Sequence, residues 1–143
     1  MARGKRLLVS VPMLLVLVCL CFCDHTGVGA LTLLAAFLHE CGHFAAAWGL
    51  GLSPREVRLD LLGARMEISG RVLSYGEEFL LAAAGPLASL VCSLTGVLLW
   101  RYGAARIFSA TSLLLGLLNL LPIRPFDGGK HVRLVIRKPR VKE

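Results

Sequence analysis

His39-Glu40-Cys41-Gly42-His43 places two imidazoles and a carboxylate within five positions. On a helix, residues at i and i+4 share a face, so both histidines can reach the same zinc ion. Glu40, one residue on, projects beside them toward the open coordination position, where a general base belongs. The motif lies inside a stretch apolar enough to cross a membrane, and ionisable groups at that depth are costly unless paired or metal-bound. The plainer reading, packing histidines beside a satisfied glutamate, asks one membrane helix to carry three such groups within five positions.

The elements that would hold this motif follow from composition. Of 143 residues, 56% are hydrophobic and 17% charged, and the charges cluster at a few places. That pattern fits one membrane-embedded domain over residues 1–143 better than a soluble globule. The net charge of +7 comes from basic residues that flank apolar runs. They are not interleaved with exposed aromatics, so nucleic acid is not an expected partner. Cys19, Cys21, Cys23, Cys41 and Cys92 fall in apolar segments without zinc-ribbon spacing and read as membrane-packing residues.

Four apolar runs stand out, at residues 7–23, 30–50, 77–100 and 104–121, each near the length that spans a hydrocarbon core of about 30 Å. The expected fold class is therefore all-α and multi-pass, with about four transmembrane helices. Residues 7–23 follow Arg3, Lys5 and Arg6, as a secretory signal would, and Pro12 is placed to kink them. The run is longer than a usual signal core, and cleavage near Ala30 would fall directly before the next helix, which favours a retained helix. Glu77 and Glu78 suit a helix N-terminus, and Pro122 and Pro125 stop the fourth run.

Charge placement orients these runs. With the N-terminus in the cytoplasm, inner segments hold fourteen lysines and arginines, including Arg55, Arg58, Arg65, Arg71 and the basic tail 130–143. Outer loops hold two, Arg101 and Arg106. This positive-inside bias predicts that both termini face the cytoplasm. His39, His43 and the broken segment Pro122–Gly129, with Asp127, then fall toward one side of the membrane. Irregular backbone at that depth is tolerated where it is buried in protein or lines a cavity. Between the second and third runs, Glu56–Ser69 alternates with period two about Gly63. It reads as a small amphipathic β-hairpin on the inner membrane surface, serving as a connector or as an edge that pairs with an extended substrate.

Three motifs now stand in order: His39-Glu40-Cys41-Gly42-His43, Ala84-Gly85-Pro86-Leu87-Ala88-Ser89, and the run from Asn119 to Gly129 containing Pro122, Pro125, Asp127 and Gly128-Gly129. Together they resemble the site-2 protease family of intramembrane zinc metalloproteases. The likeness is greatest to its compact bacterial branch, which includes the sporulation protease acting on a sigma-factor precursor. The resemblance implies one Zn2+ per chain held by His39, His43 and Asp127, with Glu40 as catalytic base. It implies for Asn119 a contact to substrate or intermediate, or a site-shaping role. Zinc in such a site lowers the pKa of bound water toward about 7 and polarises the scissile carbonyl, while the glutamate carries the proton to the leaving amine. Ser89 stands where relatives often carry asparagine, and Phe126 where they carry leucine.

The expected function is cleavage of a membrane-embedded or membrane-adjacent protein segment, in a bacterial cytoplasmic membrane, with room for a regulatory partner or a homo-oligomer. Two other classes compete: a zinc-binding membrane scaffold without turnover, and a metal transporter using the same ligands. An intact Glu40 disfavours the first, and one non-exchanging zinc ion would exclude the second.

Overall fold

The computed structural model describes residues 6–52, 54–60, 63–68, 73–123 and 126–127. In chain order these form β1 (Arg6–Val9), α1 (Val11–Cys23), α2 (Val28–Gly49), β2 (Pro54–Asp60), β3 (Gly63–Ile68), α3 (Tyr75–Leu98) and α4 (Gly103–Asn119). The basic tail 130–143, Arg3, Lys5, Arg71, Arg124, Pro125 and Gly128-Gly129 lie outside the described residues.

The first apolar run differs from its sequence expectation. Helix α1 begins at Val11 and not near residue 7, because Ser10 caps it, its hydroxyl accepting from the Met13 N–H at 3.4 Å. Pro12 therefore sits in the first turn, where its missing N–H is one that had no helical partner, and it is not a mid-helix kink. Residues 6–9 are extended instead, pairing in parallel with β2 from Arg6↔Glu56 to Val9↔Leu59. Strands β2 and β3 pair antiparallel from Pro54↔Ile68 to Asp60↔Gly63, giving a sheet of order β1-β2-β3. A short apolar segment carries no periodicity that separates strand from helix, which is why β1 was hidden within the first run.

Local chemistry sets the helix starts. The Asp24 carboxylate accepts from the Ala30 N–H at 3.0 Å and from the Thr26 N–H and hydroxyl, organising the turn into α2. The Ala30 bond, foremost, holds the Asp24 carboxyl below its ordinary range. Gly27, at φ +76°, supplies the left-handed residue this turn requires. At α3, Ser74 and Glu77 form a reciprocal capping box, with bonds of 3.3 and 2.9 Å. Glu77 is thus the third helical residue, so α3 begins at Tyr75, two residues before the expected boundary.

Packing is inverted relative to a water-soluble bundle. The buried helix positions are small or polar: Ala35, His39 and Ala47 on α2, Ala82, Gly85, Pro86, Ser89, Ser93 and Gly96 on α3, and Ser109, Ser112 and Gly116 on α4. Large apolar side chains such as Phe37, Leu87, Val91, Leu94, Leu98 and Leu114 point outward. In water such a surface would drive aggregation, whereas in hydrocarbon helices meet through small residues and large apolar groups face lipid. The approach is close: an added Cβ at Gly42 would come within 2.6 Å of the Ala84 carbonyl oxygen, and one at Gly96 within 2.7 Å of Ser109 Cβ. Helices α2 and α3, of 22 and 24 residues, are long and apolar enough to cross a membrane, while α1 and α4 are shorter apolar helices.

Candidate metal centre

His39 and His43 project from one face of α2, with ring centroids 5.1 Å apart in an edge-to-face arrangement. Helix α3 passes them in the opposite direction, so that Ser89 meets His39 and Leu81 meets His43. The Nδ1–H of His43 donates to the Leu81 carbonyl at 2.7 Å, and His39 Nδ1 lies 2.9 Å from Ser89 Oγ. With both Nδ1 atoms engaged, both Nε2 atoms turn to a third element. Beyond α4 the chain folds back through bonds from the Ile123 N–H to Leu121 and from the Phe126 N–H to Ile123, and Asp127 follows. One oxygen of its carboxylate, Oδ2, lies 3.3 Å from His39 Nε2 and 3.0 Å from His43 Nε2. His39 and Asp127 are buried, at 3% and 6% exposure, and the His43 side chain keeps 13%.

The cluster fits a metal ion. One ligand atom from each of His39, His43 and Asp127 lies within 4.8 Å of the others. Two imidazole nitrogens and a carboxylate oxygen are a donor set that zinc accepts at catalytic sites, with a fourth position left open. Tetrahedral bonds of about 2.0–2.1 Å would set ligand atoms about 3.3 Å apart, close to the separations from Asp127 Oδ2 of 3.0 and 3.3 Å. Gly85 provides a separate test. A Cβ at this position would fall against His43 Nε2 and within 2.6 Å of His39 Nε2, so α3 leaves space where a metal would sit.

The remaining sequence candidates are placed differently. Glu40 follows His39 on α2, partly buried and within electrostatic reach of His43. Asn119 is the last residue of α4, and its side-chain amide donates to the Leu115 carbonyl at 3.0 Å, a bond within its own helix.

Three contributors were not assigned to the site from sequence: the Leu81 carbonyl, Gly85 and Ser89. They recur every fourth residue on α3, as His39 and His43 do on α2. That match becomes informative only when the two helices are set side by side. Gly85-Pro86 reads in the sequence as packing and bending, and a glycine that packs close looks the same as one that leaves room for an ion.

Comparisons with known proteins follow the same lines. The chain is 38% identical over 117 residues to a protein named as zinc metalloprotease Rip3 of Mycobacterium tuberculosis, covering 73% of this chain and 30% of that one. It is 31% identical over 118 residues to one named as zinc metalloprotease sll0528 of Synechocystis, covering 76% and 31%. The chain thus spans about 30% of the length of the curated relatives it matches. Its fold is similar to that of a site-2 protease from Methanocaldococcus jannaschii, with a TM-score of 0.75 at 23% identity over 94% of this chain and 68% of that one. Residues 11–128 match the Peptidase M50B-like family, and the chain belongs to it.

Proposed function

We propose that this chain is the membrane-embedded catalytic domain of an intramembrane zinc metalloendopeptidase, with His39, His43 and Asp127 as the zinc ligands and Glu40 as the general base. The observation that carries the reading is the convergence of both Nε2 atoms on one Asp127 oxygen, with Gly85 leaving room beside the two imidazoles. When bound, zinc would supply an acidified water and polarise the scissile carbonyl. The chain's own residues do the rest. The two Nδ1 contacts hold the imidazoles toward the site, and Glu40 receives a proton and passes it to the leaving amine. Burial of His39 and Asp127 limits water to what the site admits. Asn119, at the end of α4, is the proposed contact to a substrate backbone or intermediate.

In this reading four helices cross a bacterial cytoplasmic membrane with both termini in the cytoplasm. The charge bias of fourteen against two supports it, as does the outward-facing apolar surface. The three-stranded sheet then lies at the inner surface, on the side of the metal centre. The substrate is a membrane-associated protein segment, and a regulatory partner or a second copy can complete the assembly.

The test compares membrane proteomes of cells carrying the wild type and Glu40→Gln. Fragments present only with the wild type, together with zinc retained in Glu40→Gln, are the expected result. Near-normal cleavage by Glu40→Gln would remove the proposed base.

A further inference from the structure

The two imidazoles are held by partners of different kinds. A backbone carbonyl only accepts, so Leu81 fixes the His43 tautomer by itself, with the proton on Nδ1 and the lone pair on Nε2. A hydroxyl donates or accepts, so the 2.9 Å contact to Ser89 orients the His39 ring without choosing its tautomer. Ser89 is 1% exposed, and His39 is its side-chain hydrogen-bond partner among the described residues. It is also backed by α4: an added Cβ at Gly116 would stand 3.0 Å from Ser89 Cβ and 3.5 Å from the Pro86 carbonyl oxygen. A side chain so enclosed has little room to turn away from the imidazole.

We propose that Ser89 is a positioning residue for His39: backed by Gly116, its hydroxyl accepts the His39 Nδ1–H and keeps Nε2 directed at Asp127, so that the α3–α4 interface reaches the metal centre through one hydrogen bond. The inference rests on the metal-site reading above. It makes His39 the ligand held by a side chain of the α3–α4 interface, whereas His43 is held by a backbone atom of α3. Loss of a supporting hydrogen bond of this kind lowers metal affinity by about 10- to 100-fold.

The experiment uses the full chain in detergent or nanodiscs and reads the affinity for zinc by chelator competition. The visible absorption of the cobalt-substituted protein reports ligand geometry. Ser89→Ala is compared with Ser93→Ala, which removes a hydroxyl of the same interface one turn away without touching His39. The expected result is zinc binding weakened about 10- to 100-fold and a changed cobalt spectrum in Ser89→Ala, with affinity and spectrum preserved in Ser93→Ala. Wild-type affinity and spectrum in Ser89→Ala would overturn the proposal. Equal weakening in both variants would also overturn it, since the effect would then be one of packing. A wild type that takes up neither metal, and so matches Asp127→Ala, would defeat the metal site itself.

Discussion

The α2–α3 interface around His39 and the far half of the α3–α4 interface around Ser93 are built alike, from small residues at every third or fourth position, yet their polar atoms end differently. In the far half, Ser109 donates to the Ser93 carbonyl at 2.8 Å, and the two hydroxyls lie 3.2 Å apart. Gly96 brings the backbones into contact there, and Ser93 and Ser109 satisfy one another. Around His39 and His43, the inward nitrogens are held from behind by Leu81 and Ser89, and their other nitrogens face a shared point beside Gly85. A polar seam whose atoms close on each other fastens helices, while one whose atoms converge on an open space can bind an ion.

Substitutions that fill or empty the two seams test this distinction, and the largest effect is expected at Gly85. Gly85→Ala puts a methyl group against both Nε2 atoms, so α2 and α3 must separate or the metal must be lost. Zinc content and peptidase activity should fall together by more than about 100-fold, beyond what loss of a supporting hydrogen bond produces. Metal analysis beside helix content by circular dichroism would show it. Asp127→Ala comes next: zinc and activity should both drop, while Asp127→Glu, which keeps a carboxylate on a longer arm, should recover part of the metal but less of the turnover. Full zinc occupancy in Asp127→Ala would remove it from the site.

At the closed seam the consequences are for stability alone. Gly96→Ala forces a Cβ to 2.7 Å from Ser109 Cβ and should cost about 1–3 kcal/mol in unfolding measurements without changing zinc affinity. Ser109→Ala should cost roughly 0.6 kcal/mol, typical of a hydrogen bond between membrane helices. Ser112 offers the opposite sign. Its hydroxyl is fully buried and has no partner among the described residues. Ser112→Ala should therefore leave stability unchanged or raise it by up to about 1 kcal/mol.

Much of the candidate metal centre is legible in the sequence because a helix makes i and i+4 neighbours without help from the rest of the fold. His39 and His43 are of this kind. Asp127 lies 84 residues beyond His43; charge placement puts it on the histidines' side of the membrane, and the family resemblance makes it a ligand. Leu81 contributes a backbone atom, which no residue type announces. Ser89 and Gly85 take their meaning from what α2 places opposite them. The helices were legible through their apolar runs, with starts shifted to where Ser10 and Ser74 cap α1 and α3. Strand β1 was not, since its identity depends on β2, some 50 residues away.

His39, His43 and Asp127 are proposed to hold one zinc ion beside Gly85. Anomalous diffraction at the zinc edge from crystals of Glu40→Gln tests it most directly, because that variant should keep its metal while turnover is stopped. One zinc per chain is predicted, with His39 Nε2, His43 Nε2 and an Asp127 carboxylate oxygen each about 2.0–2.2 Å from it. Zinc bound elsewhere, or bound by the two histidines with the Asp127 side chain turned away, would rule out this three-residue site.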